Sequence, residues 1–132
     1  MANKKNQNSA ELMLYLVSKK RILRLSKIIK YQVFPRLNEW IQVHTKDEWS
    51  NLQYEVVQIT HREKGIPEIW LQSSSLKGNK RIVSFFEDDE MDDYSKAYIK
   101  SGWHLRSSSP NTIYRRNGTS IFVNVGKSKN AT

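Results

Sequence analysis

Neither glycine nor proline occurs between Ser9 and Phe34, and Pro35 closes that stretch. These two residues are the strongest local breakers of regular structure, so the stretch is free to form one or two long elements. Its composition is that of a helix, rich in Leu, Lys and Arg. Ser9 can cap a helix beginning at Ala10-Glu11. Ile22, Leu25, Ile29 and Val33 share one side at three-to-four-residue spacing, and Lys20, Arg24, Lys27 and Tyr31 share the other. Pro35 disfavours helical geometry at Phe34. The pattern predicts an N-terminal helical segment over residues 10–34, as one helix or as two joined near Ser18-Lys19.

Beyond Pro35 the signals shorten. Trp40-Ile41-Gln42-Val43-His44 alternates and predicts a strand. Thr45-Lys46-Asp47-Glu48 fits a capping box that opens a short helix to about Leu52. Residues 54–61 and 68–73, joined through Arg62-Glu63-Lys64-Gly65, predict a β-hairpin. Lys77-Gly78-Asn79 reads as a turn and residues 81–86 as a further strand. A helix follows over 91–100, with acidic residues at its start and Gly102 as its stop. Residues 103–107 read as a strand and Ser108-Ser109-Pro110-Asn111 as a turn. Residues 112–116 and 119–125 then flank Asn117-Gly118, whose backbone freedom suits a type I′ hairpin.

These elements add up to an α+β domain over residues 9–125, with the N-terminal helical segment packed on antiparallel hairpins. Basic tails at 1–8 and 126–132 read as disordered. Helix, strand, turn and strand recur at 45–73 and 91–125. That order fits two helix-plus-hairpin units of winged-helix type, and equally two unrelated hairpins. The absence of cysteine excludes disulfides and thiolate metal sites. The apolar run at 12–17 is too short for a signal peptide or a membrane span, so a cytoplasmic protein is expected.

Charge is unevenly spread. The net charge is +9, yet six of the thirteen carboxylates fall in Glu87-Asp88-Asp89-Glu90-Met91-Asp92-Asp93. From Tyr94 onward there is no Asp or Glu. A mainly cationic surface with one anionic spot suits a protein that meets a polyanion. The predicted helix offers Lys20, Arg21, Arg24, Lys27 and Lys30 for phosphate contact, against the plainer reading of a solvated face. A membrane-surface role is disfavoured because a small domain needs the apolar side of that helix for its own core. In the C-terminal part, Arg106, Arg115, Arg116 and Lys127 stand near Trp103 and Tyr114, an interleaving that can grip phosphates and stack bases.

Other chemistry finds little support in the residues. The acidic run lacks the spacing of a calcium loop and reads as a helix cap, a solvated loop, or a mask for the basic surface. His44, His61 and His104 stand in no metal-binding spacing. No catalytic triad, phosphate-cradling glycine loop or dinucleotide fingerprint is present, so no catalytic residue, metal or cofactor is expected.

Tyr98-Ile99-Lys100-Ser101-Gly102-Trp103-His104-Leu105-Arg106, followed by residues 112–118 and Ile121-Phe122-Val123, resembles the helix–glycine–aromatic–three-strand core of small HicA-type ribonuclease toxins. In that family the turn carries a Gly-Ser-His whose histidine does the chemistry. The comparable turn here, Ser108-Ser109-Pro110-Asn111, has no histidine, so ribonuclease activity does not carry over. The resemblance implies an αβββ shape like that of double-stranded-RNA-binding domains.

The expectation is therefore a non-enzymatic nucleic-acid-binding protein of low sequence specificity. Its partner is expected to be duplex DNA rather than RNA, and its role that of an accessory factor of a bacterial mobile element. The alternative is a protein-interaction module docking on an acidic partner through aromatic anchors such as Trp40, Trp49 or Trp70. A phage-encoded inhibitor of a host defence nuclease fits that alternative.

Overall fold

The computed structural model describes residues 8–46, 51–77 and 80–117. Strands hold 54% of the described residues, which makes this a β protein rather than the expected α+β arrangement. The residues read as an N-terminal helix form two strands, β1 (Asn8–Val17) and β2 (Arg21–Tyr31), paired antiparallel from Asn8↔Tyr31 to Val17↔Ile22. Further strands are β3 (Trp40–His44), β4 (Asn51–Thr60), β5 (Glu68–Gln72), β6 (Ser74–Lys77), β7 (Lys80–Val83) and β8 (His104–Pro110). Helices are α1 (Asp88–Lys100) and α2 (Thr112–Asn117). Six strands form one curled half-barrel sheet in the order β3-β4-β5-β1-β2-β8, with β1 and β5 parallel; β6 and β7 form a separate hairpin.

The physical reason for the hairpin lies in β1. Ala10, Leu12, Leu14 and Leu16 are all fully buried on one face, and Met13, Tyr15 and Val17 are nearly so on the other. Both faces of this central strand are covered, so its apolar run is continuous and shows no polar side. Burial of each of those leucines stabilises the fold by about 2 kcal/mol. A lone helix buries a single stripe and would leave half of these side chains in water. The chain reverses at Ser18, whose Oγ accepts from the Arg21 and Lys20 amides at 2.9 and 3.2 Å. The Ser18 amide in turn donates to the Arg21 carbonyl at 2.9 Å. Short hydroxyl side chains compete with helical hydrogen bonding in this way.

The two faces differ. On the helical face, α1 lays Met91 and Tyr98 against Leu12, Leu14, Leu23, Leu25, Tyr54 and Leu71. Tyr54 and Tyr98 share a buried hydrogen bond of 2.8 Å. The opposite face carries Glu11, Met13, Tyr15 and Val17 of β1, and Arg24, Ser26, Ile28 and Lys30 of β2. Register sets Glu68, Trp70 and Gln72 of β5 beside Glu11, Met13 and Tyr15. Val83 and Phe85 cover the turn end of this polar face, against Met13, Tyr15 and Val17.

Several expectations hold. The hairpin at 54–61 and 68–73 is β4–β5, the strand at Trp40–His44 is β3, and the helix ends as expected. Gly102 takes φ +101° just past α1, a left-handed conformation that favours glycine, and its amide donates to the Ile99 carbonyl at 3.1 Å. Other expectations fail. Residues 112–116 form α2 instead of a strand, because the Asn111 side chain caps them: its Oδ1 accepts from the Tyr114 amide at 2.8 Å. With two helices flanking β8, the chain has neither the αβββ order of the HicA-type resemblance nor a winged-helix arrangement. The capping box at 45–48 falls partly, and the strand at 119–125 wholly, outside the described residues. Of the tail expected at 1–8, Asn8 opens β1, and residues 1–7 lie outside the described residues, as does the tail at 126–132. Among the described residues, no helix is long and apolar enough to cross a membrane.

Candidate nucleic-acid interface

A strand alternates its side chains, so the cation row expected on one helix face is divided between two sides of the sheet. Arg21 opens β2 and reaches the start of α1. Its guanidinium lies 2.8 Å from Asp92 and 3.6 Å from Asp88. The Asp92 hydrogen bond is the main cause of its raised pKa. Lys27 points to the helical side, where its ammonium donates to the Ser101 carbonyl at 2.9 Å. Lys20 is exposed in the turn between β1 and β2. Arg24 and Lys30 face the opposite, polar side. Lys127 lies outside the described residues.

Arg106 joins Arg24 and Lys30 through a backbone irregularity. The β2–β8 register steps from Arg24↔Ser107 to Leu25↔Leu105, leaving Arg106 as the extra residue of a bulge. A bulge re-aims the side chain it carries. Here the guanidinium crosses β2, donates to Ser26 Oγ at 2.7 Å and lies 3.7 Å from Glu11. Arg115 and Arg116 extend the same side. They are exposed in the last turn of α2, whose Tyr114 packs edge-on against Phe85 with ring centres 5.0 Å apart. The Lys19 ammonium lies 5.8 Å from the Tyr114 ring centre. The sequence leaves Lys19 at the margin of the basic row, and its contact with Tyr114 is legible only in the fold.

The carboxylates of this face are held inward. Glu11 lies 3.5 Å from Arg62 as well as beside Arg106, and Arg62 also pairs with Glu68. Trp70 Nε1 donates to Glu68 at 3.0 Å, and buried Glu55 accepts from Ser74 at 2.7 Å. Tyr15 sits among them, hydrogen-bonded to Arg24; burial is the main cause of its raised pKa. Lys19, Lys30, Arg115 and Arg116 make no ion pair among the described residues, which leaves their charge available to solvent.

The acidic run is placed on the other side. It forms the first turn of α1, where Glu87 and Glu90 make a reciprocal capping box and the carboxylates complement the helix dipole. Asp88 accepts from Ser18 Oγ at 2.6 Å, the largest cause of its lowered pKa, with Arg21 adding to it. The anionic turn and the basic α2 therefore flank the same end of the sheet from opposite faces.

His44 and His104 are exposed on β3 and β8, the two outermost strands, and His61 is exposed in the β4–β5 loop. No group of three His, Cys, Asp or Glu among the described residues is placed to hold a metal ion. Trp70 is half-buried, Trp40 is exposed, and Trp49 lies outside the described residues. No protein-family model matches the chain, and no curated protein or solved structure compared with it matches either.

Proposed function

We propose that this chain is a non-enzymatic nucleic-acid-binding protein, and that it meets the phosphate backbone with the polar face of its sheet and the adjoining α2. One observation carries this reading. Lys19, Arg24, Arg106 and the Arg115 and Arg116 of α2 stand on one side of the sheet, with Lys30 on the same face at the far end of β2, while the acidic turn of α1 occupies the other side. The separation keeps a net positive surface facing one way, and such a surface concentrates polyanions at low ionic strength. The cations stand on a sheet, a turn and the six-residue α2, none of which is a long helix that could lie in a major groove. Contacts of this kind go to phosphates and carry little sequence information.

The test is an anisotropy titration of the full chain against duplex DNA, single-stranded DNA and RNA at two salt concentrations. Binding that weakens steeply with salt is expected. Reversing Lys30, Arg115 and Arg116 to glutamate together should weaken it at least tenfold, while reversing Lys96 and Lys100 on α1 should change it far less. Equal losses from both sets, or no binding in dilute buffer, would remove the interface.

A further inference from the structure

On the polar face, two arginines from separate parts of the chain close on one carboxylate. Glu11 Oε1 lies 3.5 Å from the Arg62 guanidinium, and its Oε2 lies 3.7 Å from that of Arg106. Arg62 comes from the β4–β5 loop and Arg106 from the bulge of β8, so neither belongs to the strand that carries Glu11. Each arginine has a firmer anchor than Glu11. Arg106 Nε donates to the Oγ of buried Ser26 at 2.7 Å. Arg62 donates to Glu68, which in turn accepts from Trp70 Nε1 at 3.0 Å. Both guanidiniums therefore hold their places without Glu11, and the space between them is a preorganised seat for an anion.

Glu11 fits the part of a displaceable occupant. Its two contacts are longer than the 2.8 Å that the Arg21–Asp92 pair reaches. The Arg62 and Arg106 side chains are 40% and 50% exposed, so both pairs are open to solvent and easily exchanged. Register also sets Glu11 beside Glu68 of β5. Like charges on neighbouring strands work against the sheet unless cations stand by. A carboxylate and a phosphate present similar oxygens to a guanidinium, and arginine takes either. The bulge is a second, independent pointer. It leaves Arg106 out of the ladder and aims it across β2 at this spot, which pairing of β2 with β8 does not require.

We propose that Arg62 and Arg106 form a phosphate seat, in which the Glu11 carboxylate stands until a bound polyanion displaces it. Glu11 pairs in register with Ile28, so the seat lies between Arg24 and Lys30 and joins them in one cationic track. Arg62, a turn residue by sequence, thereby becomes a binding residue. Glu11 becomes the internal counterion that a ligand must outcompete. The seat stands on the local geometry, while the source of its phosphate rests on the nucleic-acid reading.

The test compares Glu11→Gln with Asp93→Asn, which removes one negative charge from an exposed position on α1. Glutamine keeps the size of Glu11, and circular dichroism checks that the variants keep the fold. Duplex DNA and inorganic tripolyphosphate are each titrated against the full chain at two salt concentrations. Glu11→Gln should bind both severalfold more tightly than the native chain does, and its salt dependence on DNA should steepen by about one phosphate contact. Asp93→Asn should gain less than about twofold, since its charge lies outside the seat. In a chain that also carries Arg62→Gln and Arg106→Gln, Glu11→Gln should bring no gain beyond that of Asp93→Asn. Salt-sensitive DNA binding in which Glu11→Gln gains no more than Asp93→Asn overturns the seat and leaves the wider interface standing. A gain on tripolyphosphate that needs both arginines, with no DNA bound, supports the seat and removes nucleic acid as its source. A gain that survives loss of both arginines, or no binding of either probe by any variant, overturns the seat.

Discussion

Tyr54 of β4 and Tyr98 of α1 join their phenol oxygens at 2.8 Å inside the core, and both side chains are fully buried. The bond ties helix to sheet where the apolar contacts alone would leave the helix free to slide. Removing one hydroxyl takes away the 2.8 Å buried hydrogen bond of the other, a loss of about 1–3 kcal/mol. Tyr54→Phe should therefore lower stability by about that amount in urea denaturation. The double variant with Tyr98→Phe should lie closer to the native protein than the two single losses added together.

The same pair sets an alkaline limit. Burial is the main cause that raises the Tyr54 pKa well above its ordinary value, with Tyr98 adding to it. The folded state then holds this proton more tightly than the unfolded chain does. Its contribution is intact below the unfolded phenol value of about 10 and is lost progressively as pH rises above it. Chemical denaturation followed from pH 8 to 11 should show stability falling from about pH 10 onward, with a shallower fall in the double phenylalanine variant.

Asp88 gives the opposite dependence. Its folded pKa is lowered by the Ser18 hydroxyl first and by Arg21 next. The unfolded chain binds this proton more readily, so the stabilisation is present above the ordinary value of about 3.9 and lost as pH falls through the lowered one. Asp88→Asn should be less stable than the native chain at neutral pH, and the gap should close on acidification. A constant gap down to pH 2 would mean that the carboxylate charge is not what Ser18 and Arg21 hold.

Which elements were legible in the sequence follows from how many faces each one buries. The β4–β5 hairpin, β3 and α1 each show the period of their own geometry and have turn residues at their ends. The first two strands do not. β1 buries both faces, so its side chains read as an unbroken apolar run, and periodicity alone cannot separate that from a buried helix. β2 does alternate, with Leu23 and Leu25 inward and Arg24 and Lys30 on the polar side, but three-to-four spacing also fits Ile22, Leu25 and Ile29. Helix-forming composition favours the helical alternative, which the β1–β2 hairpin overrides. The turn at Lys19-Lys20 carries neither Gly nor Asn, and neither lysine takes a positive φ, so the usual hairpin signature is missing.

Legibility at the interface fails for a related reason. Residue types pointed to Arg24, Lys30, Arg106, Arg115 and Arg116, and these share a side once the chain is folded. Arg21 and Lys27 carry the same charge in the same stretch but turn to α1 and become structural. Only the strand period separates the two groups, and a helical reading places them together.

Gln72 is a place where the chain departs from the usual rule for buried polar groups. It is fully buried on β5, and among the described residues neither its amide nitrogen nor its oxygen has a hydrogen-bond partner. Replacing an unsatisfied buried amide with an apolar side chain of similar shape removes a desolvation cost of about 1–3 kcal/mol. Gln72→Leu should raise the melting temperature. A lower one would show that the amide is engaged in solution.

Asn111 links the fold to the proposed interface. It is fully buried, donates through Nδ2 to the Ser18 carbonyl at 2.9 Å, and caps α2 through Oδ1. One side chain therefore pins the helix that carries Arg115 and Arg116 to the turn that carries Lys19. Asn111→Ala removes both bonds while leaving every charge in place. Loss of a cap costs about 1 kcal/mol, and the stranded Ser18 carbonyl adds to it. A helix of six residues cannot hold itself together alone. Affinity for duplex DNA at low salt should fall severalfold although the net charge is unchanged, and amide exchange should quicken at Tyr114. If affinity instead follows charge alone and Asn111→Ala binds as the native chain does, the arginines of α2 act as a loose tether and their placement over Phe85 is irrelevant to binding.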